Sequence, residues 1–203
     1  MNDVKQFIES GILEMYVLGQ TTAEENSEVE RMAVMYNEVH REIDDISITL
    51  EKYARAHAVT PDPTIHPFLM AMIDYTERIK KGEAPAFPPT LHGGSKIADY
   101  AEWLTRKDLE PAEPLTDMYA SIIGYTPEVT TAIVWLKEGA PAETHTDELE
   151  KFLIVEGTCD ITIGEEVHSL QPGNVLIIPL HLPHSVKVTS EYPCKIILQR
   201  AAA

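Results

Sequence analysis

Two imidazoles and a group of carboxylates fall within one strand-like stretch: His145, Glu150 and His184, with Glu143, Asp147 and Glu148 beside the first and His181 beside the last. His145 opens a run that follows a turn at Gly139, and Glu150 begins the next run. His184 comes just after Pro179-Leu180-His181-Leu182-Pro183, whose prolines rigidify a corner. If these runs close into a barrel, inward positions alternate along each strand, and such side chains can converge at one end. Two imidazoles with one or two carboxylates are a usable set for Zn, Fe, Mn or Ni. His145, Glu150 and His184 are therefore the expected metal ligands. Glu143, Asp147, Glu148 and His181 are the alternative or supporting groups. Glu143 shares the strand parity of His145, two residues on, and as an acid could orient that imidazole. No spacing singles out one carboxylate as a tuned acid or base, so no residue is assigned as catalytic. His168, on a strand edge, reads as a surface residue.

The elements that must position these groups begin near Asp117. Thr130–Leu136, Phe152–Val155, Asp160–Ile163, Val175–Ile178, Val186–Thr189 and Lys195–Leu198 are rich in β-branched or aliphatic residues. Gly139, Gly157, Gly164, Gly173 and Pro193 punctuate them at short intervals, as in a small β-barrel or jelly roll. The preceding part of the chain has a different period. Phe7, Ile8, Ile12, Leu13, Tyr16 and Val17 recur at helical spacing up to Gly19. Thr22-Ala23-Glu24-Glu25 is a capping box opening a second helix, and a third runs from about Asn37 to Val59. Thr60-Pro61-Asp62-Pro63 breaks the pattern before a fourth helix with Phe68, Leu69, Met72, Ile73 and Ile79 on its apolar face. The Pro-rich run Lys80–Pro89 reads as a linker, and Ser95 as the cap of a short helix through Trp103. The expected chain is α+β: a four-helix domain over 1–81, a Pro/Gly-rich linker over 82–96 and a β-barrel domain over 97–203.

Composition narrows the partners. A net charge of -17 argues against direct nucleic-acid binding and suits a basic protein partner. The opening Met1-Asn2-Asp3-Val4-Lys5 lacks the pattern of a signal peptide, and no run of about 18 apolar residues could span a membrane. Cys159 and Cys194 are too few for a disulfide framework and read as buried free thiols. A cytoplasmic, membrane-free protein is expected.

Two short motifs carry a family resemblance. Gly139, His145, Glu150 and Gly157 read as G-x5-H-x4-E-x6-G, and Gly173, Pro179, Pro183 and His184 as a second motif. Over about residues 97–200 the pair resembles the cupin superfamily, which implies a β-barrel with a metal in its mouth. The second motif fits G-x5-P-x-G-x-x-H at Gly173, Pro179 and His184, with His181 where glycine is usual and Val188 in place of the terminal Asn. The first motif of the family holds H-x-H and then a Glu. Here Asp147 stands two residues after His145, where the second imidazole is expected. Glu150 then follows after two residues rather than three or four, so either the turn is shortened or Glu148 is the ligand.

The first 75 residues or so carry a second resemblance. Ile8-Glu9-Ser10-Gly11-Ile12-Leu13-Glu14-Met15-Tyr16-Val17-Leu18-Gly19, followed by the Thr22–Glu25 cap, is similar to anti-sigma-K-type anti-sigma factors of the zinc-less branch. The match extends through Tyr36-Asn37-Glu38-Val39 and Ala54–Pro61. The resemblance implies sequestration of an extracytoplasmic-function sigma factor, with Ile12, Tyr16, Phe68, Leu69 and Met72 as partner-facing residues. An acidic helical clamp would complement a basic partner.

Together these features suggest a cytoplasmic anti-sigma factor whose barrel senses a small molecule, metal or oxidant, and a barrel that is more sensor than enzyme. The rival reading is a cupin-type metalloenzyme, dioxygenase-like or isomerase-like, with an accessory helical domain. A third is a catalytically silent ligand-binding barrel that forms a homodimer through strand edges.

Overall fold

The computed structural model describes residues 2–112 and 114–203. They form two compact units, Met1–Thr60 and Pro61–Ala203.

The first unit is helical: α1 (Asn2–Ile8), α2 (Ile12–Val17), α3 (Ala23–Met35) and α4 (Asn37–Ala56). The opening amphipathic stretch is two helices rather than one, because Gly11 takes a left-handed φ of 82° between them. α3 begins on its expected box: the Glu25 backbone N–H donates to Thr22 Oγ1 at 3.3 Å, and Thr22 N–H donates to the Glu25 carboxylate at 2.8 Å. Val4, Leu13, Val29, Met32 and Val39 form the core of this unit.

Among the described residues, the second unit holds α5 (Ile65–Lys80), short helical turns at Ile97–Tyr100, Ala101–Leu104 and Lys107–Leu109, and nine strands. These are β1 (Met118–Tyr125), β2 (Val129–Leu136), β3 (Gly139–Glu143), β4 (Glu148–Glu156), β5 (Cys159–Ile163), β6 (Glu166–Leu170), β7 (Val175–Ile178), β8 (His184–Val188) and β9 (Cys194–Ala202). They build two antiparallel sheets, one in the order β1-β2-β9-β4-β7 and one in the order β3-β8-β5-β6. Alternation sorts the first sheet's side chains. Ile196 and Leu198 of β9 join Ile161, Ile163 and Val186 of the other sheet in one core, whereas Ile197 points to a second core on the opposite face. Cys159 and Cys194 are free and buried.

The fourth helix does not belong to the helical domain expected over 1–81. The boundary is the Thr60-Pro61 breaker, and α5 packs against β1. Phe68, Ala71, Met72, Tyr75 and Ile79 recur at helical spacing and seat against the core between the sheets. Periodicity identified that face, but it does not say which partner covers it.

The run over 82–96 is likewise not a free linker. Leu91 is fully buried and its N–H donates to Gln199 Oε1 at 2.7 Å, while Gln199 Nε2 donates to the Pro89 carbonyl at 2.7 Å and to Thr131 Oγ1 at 3.0 Å. Prolines deny this segment a ladder of its own, and a buried glutamine satisfies its backbone instead. Ser95 does not cap the following turn. Its hydroxyl accepts from His92 N–H, and Asp99 accepts from Lys96 N–H.

Glu83 ties the end of α5 to the next turns. Its carboxylate accepts from Arg106 Nη1 at 2.6 Å and from Arg78 Nη1 at 2.7 Å, and Arg78 Nη2 donates to the Ile122 carbonyl of β1. The Arg106 hydrogen bond, aided by Arg78 against a burial penalty, holds the Glu83 carboxyl below its ordinary range. A carboxyl lowered in the folded state stabilises above its unfolded pKa of about 4.5 and loses that contribution as pH falls through the folded value. Glu83→Gln is expected to cost about 1–2 kcal/mol at neutral pH. The gap from wild type should close as urea titrations are repeated at pH values falling below that of a free glutamate.

Candidate metal centre

Each sheet contributes one cross-strand pair. In the first sheet Glu150 of β4 lies opposite Arg200 of β9, and in the second Glu143 of β3 lies opposite His184 of β8. Directly opposed residues share a face, so each pair points to the same side of its sheet. His145, just beyond β3, joins them. One ligand atom from each of Glu143, His145, Glu150 and His184 lies within 4.8 Å of all the others.

Glu150 is at the centre, with a side chain only 1% exposed. Its Oε2 is 2.8 Å from His184 Nε2 and 3.5 Å from His145 Nε2, and its Oε1 accepts from Arg200 Nε at 2.9 Å. Glu143 lies 3.7 Å from each imidazole Nε2, and Arg200 Nη2 reaches its Oε2 at 3.4 Å. Burial pushes the Glu150 carboxyl up, but the two imidazoles and Arg200 outweigh it and hold it well below the usual carboxylate range. Glu143 is raised, by burial first and then by repulsion from Glu150, with Arg200 opposing. Glu150 raises His145 above the ordinary imidazole value, against burial.

The donor set fits a divalent transition ion. Among the described residues, His145 Nε2 is buried without a hydrogen-bond partner, although two carboxylates lie 3.5 and 3.7 Å away. Those separations are long for hydrogen bonds but suit atoms sharing an ion at about 2.1 Å each. His184 Nδ1 also has no partner, so the Glu150 side of the ring is what fixes its orientation.

The other expected residues do not converge. Asp147 and Glu148 are exposed and lie outside the cluster, and so is His181. His168 lies on β6, partly exposed, 3.8 Å from Glu166. Of the partner-facing set, Ile12 and Tyr16 pack on the helical core, Phe68 and Met72 turn into the sheet core, and Leu69 is exposed. Sequence reasoning missed Arg200, for which a signal existed. It follows Ile196 and Leu198 at strand parity, and a charge at an inward position needs a partner.

A family described as "Cupin domain" matches residues 132–199. The chain carries a C-terminal cupin domain. Solved structures similar to it include the cupin domain of Schizosaccharomyces pombe Cnp3, at 17% identity over 42% of this chain and 65% of that one, TM-score 0.40. Others are KdgF from Halomonas sp., at 20% identity over 44% and 84%, TM-score 0.39, and a predicted oxalate decarboxylase from Thermotoga maritima, at 14% over 42% and 81%, TM-score 0.40. The chain thus spans just under two thirds of the Cnp3 structure. No curated protein matches the chain. The family match lies wholly within the second unit, and the anti-sigma resemblance of the helices has no counterpart in it.

In this cupin domain the first motif reads in a different frame. Glu143 and His145, two residues apart, both reach the cluster, so Glu143-x-His145 occupies the H-x-H place. Glu150 then follows His145 after four residues, the usual interval, and no turn is shortened. It is Glu143, not Asp147, that stands with His145 in the cluster. This overturns the expectation of a barrel that is more sensor than enzyme, because four candidate donors converge on one point.

His181 stands where the motif favours glycine, and it takes a left-handed φ of 64°. Its N–H donates to the His145 carbonyl at 2.8 Å, so the strained corner helps hold a site residue. Left-handed backbone costs a side-chain-bearing residue about 1–2 kcal/mol, partly offset by the greater unfolded entropy of glycine. His181→Gly is therefore expected to stabilise the second unit by about 0.5–1 kcal/mol, read as a raised melting temperature.

Proposed function

We propose that the cupin domain is a metalloenzyme acting on a small organic substrate, with Glu143, His145, Glu150 and His184 holding a divalent transition ion. The observation that carries this reading is the convergence of the four donors around the unpartnered His145 Nε2. Two imidazoles with carboxylate oxygens suit Fe, Mn, Zn or Ni, and resemble the sets of non-haem iron oxygenases. A bound ion would supply Lewis-acid polarisation of a substrate oxygen. Arg200 fixes Glu150 and neutralises part of the buried charge. Phe152, whose ring lies edge-on to His184 at 6.5 Å, and Phe68 keep water from the inner side. Dioxygenase-like and isomerase-like chemistry differ in one readout, oxygen consumption on turnover.

Metal analysis tests the ligand set. Wild type should bind one divalent ion per chain. Glu143→Gln and Glu150→Gln should each weaken binding by about 100-fold or more, beyond the 10- to 100-fold typical of outer-shell changes. Asp147→Asn should leave affinity within about twofold, since its side chain is exposed and outside the cluster. Equal metal content in wild type and Glu150→Gln would sink the proposal.

A second reading concerns the helical unit, where Val34, Met35, Ile48 and Tyr53 of α3 and α4 are exposed. Apolar residues in this density favour a protein partner, for which the anti-sigma resemblance suggests a sigma factor. Capture with the full chain should recover a sigma factor from the native cell, and recovery should fall in Ile48→Asp/Tyr53→Asp. Recovery of none would remove that partner.

A further inference from the structure

A carboxylate can offer an ion one oxygen or two, and whatever holds its outer oxygen decides which. In the donor cluster that holder is Arg200. Its Nε donates to Glu150 Oε1 at 2.9 Å and its Nη2 to Glu143 Oε2 at 3.4 Å, so one guanidinium spans both carboxylates. Glu150 Oε2 is left to the imidazoles, 2.8 Å from His184 Nε2 and 3.5 Å from His145 Nε2. Glu143 is held more loosely, with Oε1 3.7 Å from His184 Nε2 and Oε2 3.7 Å from His145 Nε2.

The surroundings of Arg200 keep its hold on Glu150 in place. β9 is paired on both sides, and its ladders set Arg200 between Thr130 of β2 and Glu150 of β4. Arg200 Cζ stands 4.7 Å over the centre of the Phe68 ring, which fixes the plane of the guanidinium. The bond to Glu150 is charge-assisted and therefore among the stronger of its kind. Turning Glu150 Oε1 towards an ion would break that bond and leave the guanidinium without its main partner.

Beside Glu143, Glu150 and Arg200 lies a space of about 20 Å³, walled elsewhere mainly by apolar groups such as Phe152, Val186 and Leu198. It has room for about one water. Resting on the metal-centre reading, we infer that Arg200 is a positioning residue. It limits Glu150 to one coordinating oxygen, Oε2, and so keeps a coordination position of the ion open for water or a substrate oxygen. Four protein donors leave a six-coordinate ion two open positions, whereas a Glu150 using both oxygens leaves one.

Solvent-proton relaxation on manganese-loaded full-length protein counts the exchangeable waters on the ion. Per bound manganese, wild type should relax water about twofold more strongly than Arg200→Met, a variant that can still pack on Phe68 but holds no carboxylate. Manganese affinity should move the other way and tighten by about tenfold in Arg200→Met, since a donor is gained and a positive charge lost. An arginine that only neutralised charge would give tighter binding with the waters unchanged, and one that only held the fold would give weaker binding. Either result in a folded Arg200→Met overturns this inference alone. So does a wild-type ion with no exchangeable water, whatever the variant does. Uptake of zinc but not manganese, as in a closed four-donor site, also overturns it alone. A wild type that takes up none of manganese, iron, nickel or zinc overturns the metal-centre reading and this inference with it.

Discussion

A carboxylate buried to 1% exposure is the constraint around which the second unit is organised. Taking an ion of that size out of water costs several kcal/mol even after relaxation, so Glu150 must be compensated wherever the chain puts it. Compensation comes from a single register. Glu150 and Arg200 are direct cross-strand partners on β4 and β9, so the ladder that joins these strands also sets the ion pair. A slip of β4 by one residue would turn Glu150 to the opposite face, among Leu153 and Ile197, and part it from Arg200. The same ladder places Phe152 and Leu198 side by side, so packing and electrostatics specify one alignment.

The remaining site residues follow from that pair. Once Arg200 holds Oε1, the Oε2 atom is left for the imidazoles, and His184 approaches it from the other sheet at 2.8 Å. Glu143 arrives as the cross-strand partner of His184 and shares Arg200 with Glu150. Two carboxylates near one guanidinium are under-neutralised, which is why burial and repulsion both raise Glu143. With two carboxylates beside two imidazoles, the candidate donor set is harder and more negative than a histidine-rich one would be. Metals that tolerate oxygen donors gain from this set relative to softer ones.

Much of this was legible in the sequence because it depends on local periodicity. Six of the nine strands lie where β-branched runs and turn residues put them, and β7 matches residue for residue. The short β3, with Pro141 and two alanines among its five residues, carries little strand propensity of its own. The parity of Glu143 with His145 is plain in the sequence, but without a recognisable β3 nothing favoured that pair over His145 and Asp147 for the H-x-H place. One weak strand therefore displaced the motif frame by two residues. His181 shows the opposite case. The glycine expected at its place was a statement about φ, and the backbone kept that conformation although the residue changed.

The assignment of α5 failed for a different reason, and it bears on function. An amphipathic helix next to other helices in sequence is naturally read as their partner, since consecutive elements tend to be adjacent. The two prolines at 61 and 63 instead mark a change of unit, and the apolar stripe from Phe68 to Ile79 matches the gap left between two sheets. Thr64, at the head of α5, is buried against the inner space. Its N–H and hydroxyl both donate to Asp62, which fixes the helix start just after the breaker. α5 is thus a wall of the site rather than part of a separate clamp. Phe68 and Met72, expected to face a protein partner, instead bound the space beside the donor cluster. A helix that must keep Phe68 stacked on Arg200 to hold Glu150 in place cannot also give up that face to a partner without disturbing the centre. Val34, Met35, Ile48 and Tyr53, apolar side chains left exposed on the helical unit, lie instead on α3 and α4.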